Sequence, residues 1–166
     1  MSNENYDFIL GLRAIRSFEE RPLADEDLTA ILEAARWTGS SKNRQNWSFV
    51  VVTQPDQIEA LAACGNFTGP MRAAPATIAI VQEPEGYEFD SGRVAQNIML
   101  AAQAIGVASC PITLHRDLEA AEVLELPPGR RARYAVALGY PGDHSEPRRM
   151  GGRKPVTELV HHQTYR

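Results

Sequence analysis

Asp90 to Ile105, DSGRVAQNIMLAAQAI, is the longest helix candidate in the chain and sets the reading of what flanks it. It is rich in alanine, with apolar residues on more than one face. A helix apolar on several sides belongs at the centre of a fold. Gly106 is placed to end it. Before it, Ala76 to Val81, ATIAIV, reads as a strand closed by a turn at Pro84–Gly86. After it, Val107 to Leu114 reads as a strand interrupted at Pro111, which implies an edge, a bulge or a strand end.

Further out the alternation continues. Asp25 to Trp37 has apolar residues at 28, 31, 32 and 35, a helical stripe, with Asp25, Glu26 and Asp27 suited to the helix start. Ser48 to Thr53, SFVVVT, is a short strand candidate, broken by Gln54-Pro55-Asp56 before Gln57 to Cys64 resumes helical spacing. Leu118 to Leu126 reads as a short helix and Tyr134 to Gly139 as a last strand. Strands alternating with helices imply a sheet covered on both faces. Tyr140 to Arg166 is rich in Pro, Gly and Arg and too polar to pack unaided, so it either frays or lies on something.

With 166 residues, 43% hydrophobic and 23% charged, the chain suits one domain with a sizeable core. A formal charge of -4 argues against a general nucleic-acid binder. No apolar run is long enough to span a membrane, and MSNENYDF lacks the order of a signal peptide, so a cytoplasmic protein without membrane partners is expected. Cys64 and Cys110 have no metal-ligand spacing and read as reduced thiols. His115, His144, His161 and His162 show no paired metal spacing, and no metal is expected. The dinucleotide fingerprint G-x-G-x-x-G and the phosphate loop are both missing.

Arginine is clustered: Arg13 and Arg16 near the start, Arg148, Arg149 and Arg153 near the end. Between the first helix and first strand lies SSKNRQNW, Ser40 to Trp47, full of neutral donors and acceptors but without carboxylate, histidine or cysteine. RAIRSF (Arg13 to Phe18), SSKNRQNW and GGRKP (Gly151 to Pro155), in that order, resemble the FMN-dependent nitroreductase family. Its members show R-x-S-[IV]-R-x-[FY], then S-S-x-N-x-Q-P-W, then a C-terminal R-x-P. DSGRVAQNIMLAAQAIGVASCPI is similar to the family's central helix and following strand, and ALGYPGD with RKPVTELVH to its closing segment. The likeness runs from about Tyr6 to His161.

This resemblance implies an α+β fold, an α/β/α sandwich with a central mixed sheet flanked by helices. It also implies a single domain over residues 1–166, an intertwined homodimer, and a tail at 140–166 packing on the partner subunit. FMN is the implied cofactor, NADH or NADPH the reductant, and a nitroaromatic, quinone or activated alkene the small-molecule acceptor, in ping-pong order. A phosphate monoester carries close to two negative charges, which arginine meets with paired, charge-assisted hydrogen bonds. Arg13 and Arg153 are the candidates there. Arg16 would face the flavin N1/C2 edge, where charge accumulates on reduction. Ala14 and Ile15 complete that segment; Leu12 and Ala14 stand where many members have arginine and serine.

Ser40, Ser41 and Asn43 match positions that contact FMN, the serines usually reaching the neighbouring subunit's cofactor. Gln45 is read as a loop anchor and Trp47 as strand start and core. Asn46 and Gly39 stand where the family has proline. Pro111, Ile112, Thr113 and Leu114 resemble the strand passing the flavin N5 edge, where backbone amides would bind. Cys110, among apolar neighbours with no adjacent histidine, reads as a packed thiol. Phe67 and Tyr87 either roof a substrate or pack on their own dimer. No side chain is assigned as catalytic, because the flavin would bring the reactivity. Three other readings stay open: a non-catalytic flavin-binding or storage protein, a specialised flavin reaction such as reductive dehalogenation or flavin cleavage, and a dimeric interaction module that has lost FMN, to which the Leu12 and Ala14 departures point.

Overall fold

The structure is a computed structural model that describes residues 3–143, 145 and 152–165. His144, Arg148, Arg149 and Gly151 lie outside the described residues.

Helix α1 (Glu4–Gly11) opens the chain, followed after an extended segment by α2 (Asp25–Arg36). Then come β1 (Trp47–Val52), α3 (Pro55–Ala63), the single turn α4 (Gly69–Arg72) and β2 (Ala76–Gln82). The long helix α5 (Glu88–Ala104) leads to β3 (Ala108–Thr113), α6 (Asp117–Val123) and β4 (Arg131–Gly139). Short 3-10 turns lie at Ser41–Asn43 and Val156–Glu158. Three acidic residues in the first turn of α2 oppose its positive dipole end, and Pro55 begins α3, where its missing N–H costs nothing.

The four strands lie in the order β1-β2-β4-β3, and all three pairings are antiparallel. The expected mixed sheet is therefore corrected among the described residues. β2 and β3, joined through α5, do run parallel to each other, as a helical crossover allows. β4 enters between them and pairs with both in the opposite sense.

Side-chain alternation divides the core in two. On one face Val52, Ala79, Cys110, Ile112, Ala135 and Ala137 pack under α3, α4 and α6. On the other, Ile78, Ile80, Val136 and Leu138 pack under α2 and α5, meeting Ile31, Ala35, Val94 and Ile98. The helices on both faces make this an α/β/α sandwich of α+β class. α5 buries Ser91, Val94, Ile98, Met99 and Ala102 against the sheet, while Leu100 and Ala101 stay half-buried on another flank. α1 was missed in the sequence because it buries nothing fully; it is tied to α5 where the Gln103 side chain donates to Phe8 O, 2.8 Å.

Candidate functional site

The site is built on the outer edge of β3. In an antiparallel ladder, successive residues turn their N–H and C=O alternately toward and away from the partner strand. Leu114 N–H donates to Arg133 O on the β4 side at 2.8 Å. The alternation therefore turns Ile112 and Cys110 toward β4 as well, and leaves Ser109, Pro111 and Thr113 facing outward. The outer edge accepts the Arg13–Glu19 segment, starting with Ile15 N–H to Ser109 O at 2.9 Å. Farther on, Ser17 Oγ donates to Asp143 O (2.6 Å), Gly142 N–H to Ser17 O (3.1 Å) and Glu19 N–H to Tyr140 O (2.9 Å).

Pro111 fits this arrangement, since its outward position needs no donor and β3 is an edge strand, as its sequence allowed. Ser109 and Thr113 are four residue steps apart, about 13 Å of edge. Beyond the contact at Ser109, the Thr113 N–H has no partner among the described residues. The expectation that Ile112 and Leu114 also present amides is corrected: both are committed to β4, and their side chains are 4% and 0% exposed. Of the four positions 111–114, the ladder leaves only the Thr113 N–H turned outward.

Arg13 and Arg153, far apart in sequence, line one cavity of about 500 Å³ together with Leu12, Ala14, Gln96 and Met99. Arg13 and Ile15 also line an adjoining cavity of about 190 Å³ against Ser109 and Pro141. Arg13 Nη1 donates to Leu10 O (2.7 Å) and Leu12 O (2.8 Å), closing the C-terminal end of α1 with part of its guanidinium. Arg16 Nη1 donates to Ala14 O at 3.3 Å. Its charge lies close enough to Cys110 to pull that thiol down, against the larger effect of burial, which pushes it up. Cys110 is 3% exposed and free, so the packed-thiol reading fits its place in the core.

Ion pairing separates these arginines from most of the others. Arg21, Arg36, Arg72, Arg93, Arg116, Arg130, Arg131 and Arg133 each have a carboxylate within 4.0 Å. Among the described residues Arg13, Arg16, Arg44 and Arg153 have none. Leu12 and Ala14, the departures from the family pattern, pack against the two halves of the core.

SSKNRQNW lies at the other edge of the sheet, before β1. Lys42, Asn43 and Gln45 adopt left-handed φ of 52°, 54° and 51° without a glycine among them. The turn is closed by Asn43 N–H to Ser40 O (3.0 Å), Arg44 N–H to Ser41 O (3.2 Å) and Gln45 N–H to Ser40 Oγ (2.9 Å). From α5, Arg93 donates to Gly39 O and Asn97 to Thr38 Oγ1 (2.8 Å).

Asn46, where proline was expected, ties the loop down: its side chain donates to Glu85 O at 3.2 Å and its carbonyl accepts from Glu83 N–H at 3.2 Å. Gly86 is required beside it, for an added Cβ would stand 2.6 Å from Asn46 O. Trp47 starts β1 and packs on the α2/α5 core. Ser40, Ser41 and Asn43 are separated from the β3 edge by three strand spacings, about 14 Å. The structure does not bring the two groups together within one chain.

Phe67 and Tyr87 are 84% and 56% exposed in the single chain. The Asn66 N–H donates to His115 Nδ1 at 3.2 Å, and Phe67 meets the His115 ring edge-on. No group of three or more metal-ligating side chains occurs among the described residues.

A sequence model of the Nitroreductase family matches residues 9–66 and 64–140, most of the chain. The chain belongs to the nitroreductase family. Among its relatives, an NADPH-flavin oxidoreductase of Vibrio harveyi is 30% identical, the match covering 98% of this chain and 75% of the relative. The oxygen-insensitive NADPH nitroreductase of Salmonella typhimurium is 26% identical, covering 96% of this chain and 73% of its own. The solved structure of nitroreductase A from Vibrio parahaemolyticus superposes with a TM-score of 0.87 at 26% identity, covering 100% of this chain and 78% of that one. This nitroreductase-family chain has no described helix long and apolar enough to cross a membrane.

Proposed function

We propose that the chain is an FMN-dependent NAD(P)H oxidoreductase that reduces nitroaromatics, quinones or activated alkenes and works as an intertwined homodimer. The observation that carries this reading is the ion pairing. Three of the four described arginines without a carboxylate partner, Arg13, Arg16 and Arg153, are the three that the family motifs single out. A cation left unpaired by its own protein is available to an anionic ligand.

The residues present fit FMN. Arg13 and Arg153, on one cavity, would hold the phosphate. Arg16, beside β3, would face the pyrimidine edge of the ring, and the free Thr113 N–H would donate toward N5. Bound FMN supplies a two-electron carrier that accepts hydride from NADH or NADPH and delivers it to the acceptor. The chain's part is to bind, orient and tune: the fixed charge of Arg16 favours the electron-rich form, and a preorganised cation needs no rearrangement to do so. Reductant and acceptor would use one open face in turn, which is the ping-pong order.

The two-edge arrangement supports the dimer. Ser40, Ser41 and Asn43 would reach the partner's cofactor, since their own β3 edge lies across the sheet. Exposed apolar residues on α1 (Tyr6, Ile9, Leu10) and the tail (Val156, Leu159) offer the surface for such a partner.

Purified protein should be yellow, release FMN rather than FAD on denaturation, and oxidise NADH or NADPH steadily with a quinone under anaerobic conditions. Colourless protein that fails to bind FMN at micromolar concentration would overturn the proposal. Flavin binding without steady turnover would leave only a flavin holder.

A further inference from the structure

We infer that Lys42 and Arg44 select NADPH over NADH by meeting its 2′-phosphate, an inference that rests on the oxidoreductase reading above. In the motif S-S-x-N-x-Q, both variable positions are cations in this chain. They are the only Lys or Arg between Arg36 and Arg72, and no Asp or Glu occurs between Glu33 and Asp56. The loop thus carries two positive charges with no acid nearby in sequence. Glu83 and Glu85 lie beside Asn46 and Ser48, but neither Lys42 nor Arg44 has a carboxylate within 4.0 Å among the described residues, and both are exposed.

The backbone beneath these two side chains is defined. Lys42, Asn43 and Gln45 hold left-handed conformations that cost energy for residues with a Cβ. The Ser40 carbonyl and hydroxyl and the Ser41 carbonyl all accept N–H groups within the turn. Such a turn sets the two cations two residues apart on a fixed base, and an anion held by both would relieve their mutual repulsion.

A phosphate monoester with close to two charges at neutral pH suits a lysine and an arginine together. NADPH carries that group on the adenosine ribose; NADH has a neutral hydroxyl there. The remaining phosphates are common to both coenzymes, so a contact at the 2′-phosphate alone discriminates. It acts on binding, leaving the hydride transfer itself unchanged, and is read in KM.

The test compares equilibrium binding of 2′-phospho-ADP-ribose and ADP-ribose to the FMN-loaded protein, before and after replacing the pair. Lys42→Asn suits the left-handed position and Arg44→Gln an ordinary one, φ -68°. The native protein should prefer 2′-phospho-ADP-ribose by about 10-fold or more, and the double variant by less than about 2-fold. The NADPH-to-NADH ratio of kcat/KM should fall by about 10-fold through KM, and by about 3-fold in Arg44→Gln alone. A native protein without preference, or a preference that survives the double variant, overturns the inference. Oxidation of both coenzymes at equal efficiency would sink this inference alone, whereas oxidation of neither would sink the oxidoreductase reading.

Discussion

The two edges of the sheet hold the candidate site groups in different ways. At the β3 edge the candidate groups sit on regular structure: a strand whose alternation frees the Thr113 N–H, and an extended segment pinned to it by Ile15 and Ser109. At the β1 edge they sit on a turn of three left-handed residues without glycine, held by side-chain amides and by arginine from α5. The first edge sets its arginines beside a ladder, suited to gripping an anion and a ring. The second carries hydroxyls, amides and two exposed cations on a fixed turn, suited to reaching outward. A ladder edge needs little support to stay in place, while a strained turn depends on each of its tethers.

The sharpest way to break this contrast is to disable each edge separately. Arg16→Ala should slow flavin reduction by about 10- to 100-fold, the range expected for losing one charge-assisted contact. Ser40→Ala, which removes the acceptor of the Gln45 N–H, should also lower activity. If the edges of two subunits complete one site, refolding the two variants together should restore about a quarter of native activity. Half of the randomly paired dimers are then mixed, and each mixed dimer has one intact site of two. No recovery would mean that each chain serves only itself.

Asn46→Ala tests the tethering more gently. It removes the hydrogen bond to Glu85 O and should cost about 1 kcal/mol, lowering Tm by about 3 °C. An unchanged Tm would show that the turn stands without that amide.

The smallest effect concerns the end of α2, from which the turn departs. Arg36 first, then the Trp37 indole N–H, hold the Glu33 carboxyl at a pKa of about 2, below its ordinary 4.5. The carboxylate is stabilised in the folded protein, so this contribution is present above the ordinary value and is lost as pH falls through about 2. Trp37 fluorescence should shift with a midpoint near pH 2; a midpoint near 4.5 would dissolve the cluster.

Much of this was legible in the sequence, for physical reasons that differ by region. α5 stood out because a long alanine-rich stretch with apolar flanks leaves few alternatives, and Pro111 limited β3 to an edge, a bulge or a strand end, of which the structure shows the edge. The pattern placed the first strand at Ser48 to Thr53, one residue from the observed Trp47–Val52. The sheet's sense did not, because a strand–helix–strand pattern is silent on whether a later strand enters between the two. The turn at Lys42–Gln45 was hidden as well, since left-handed backbone is usually announced by glycine and here is held by hydrogen bonds instead. The commitment of the Ile112 and Leu114 amides depends on a register that only pairing with β4 establishes.

The position of β4 between β2 and β3 has a consequence for biosynthesis. A ribosome releases β2, α5 and β3 well before Gly139 emerges, and until then two apolar strands lack the neighbour they share. From Gln82 until Gly139 is made, the nascent chain carries an unpaired β2 edge, a state vulnerable to aggregation. A transcript cut short before Arg131 would encode every helix of the sandwich and three of its strands, yet a sheet with no middle.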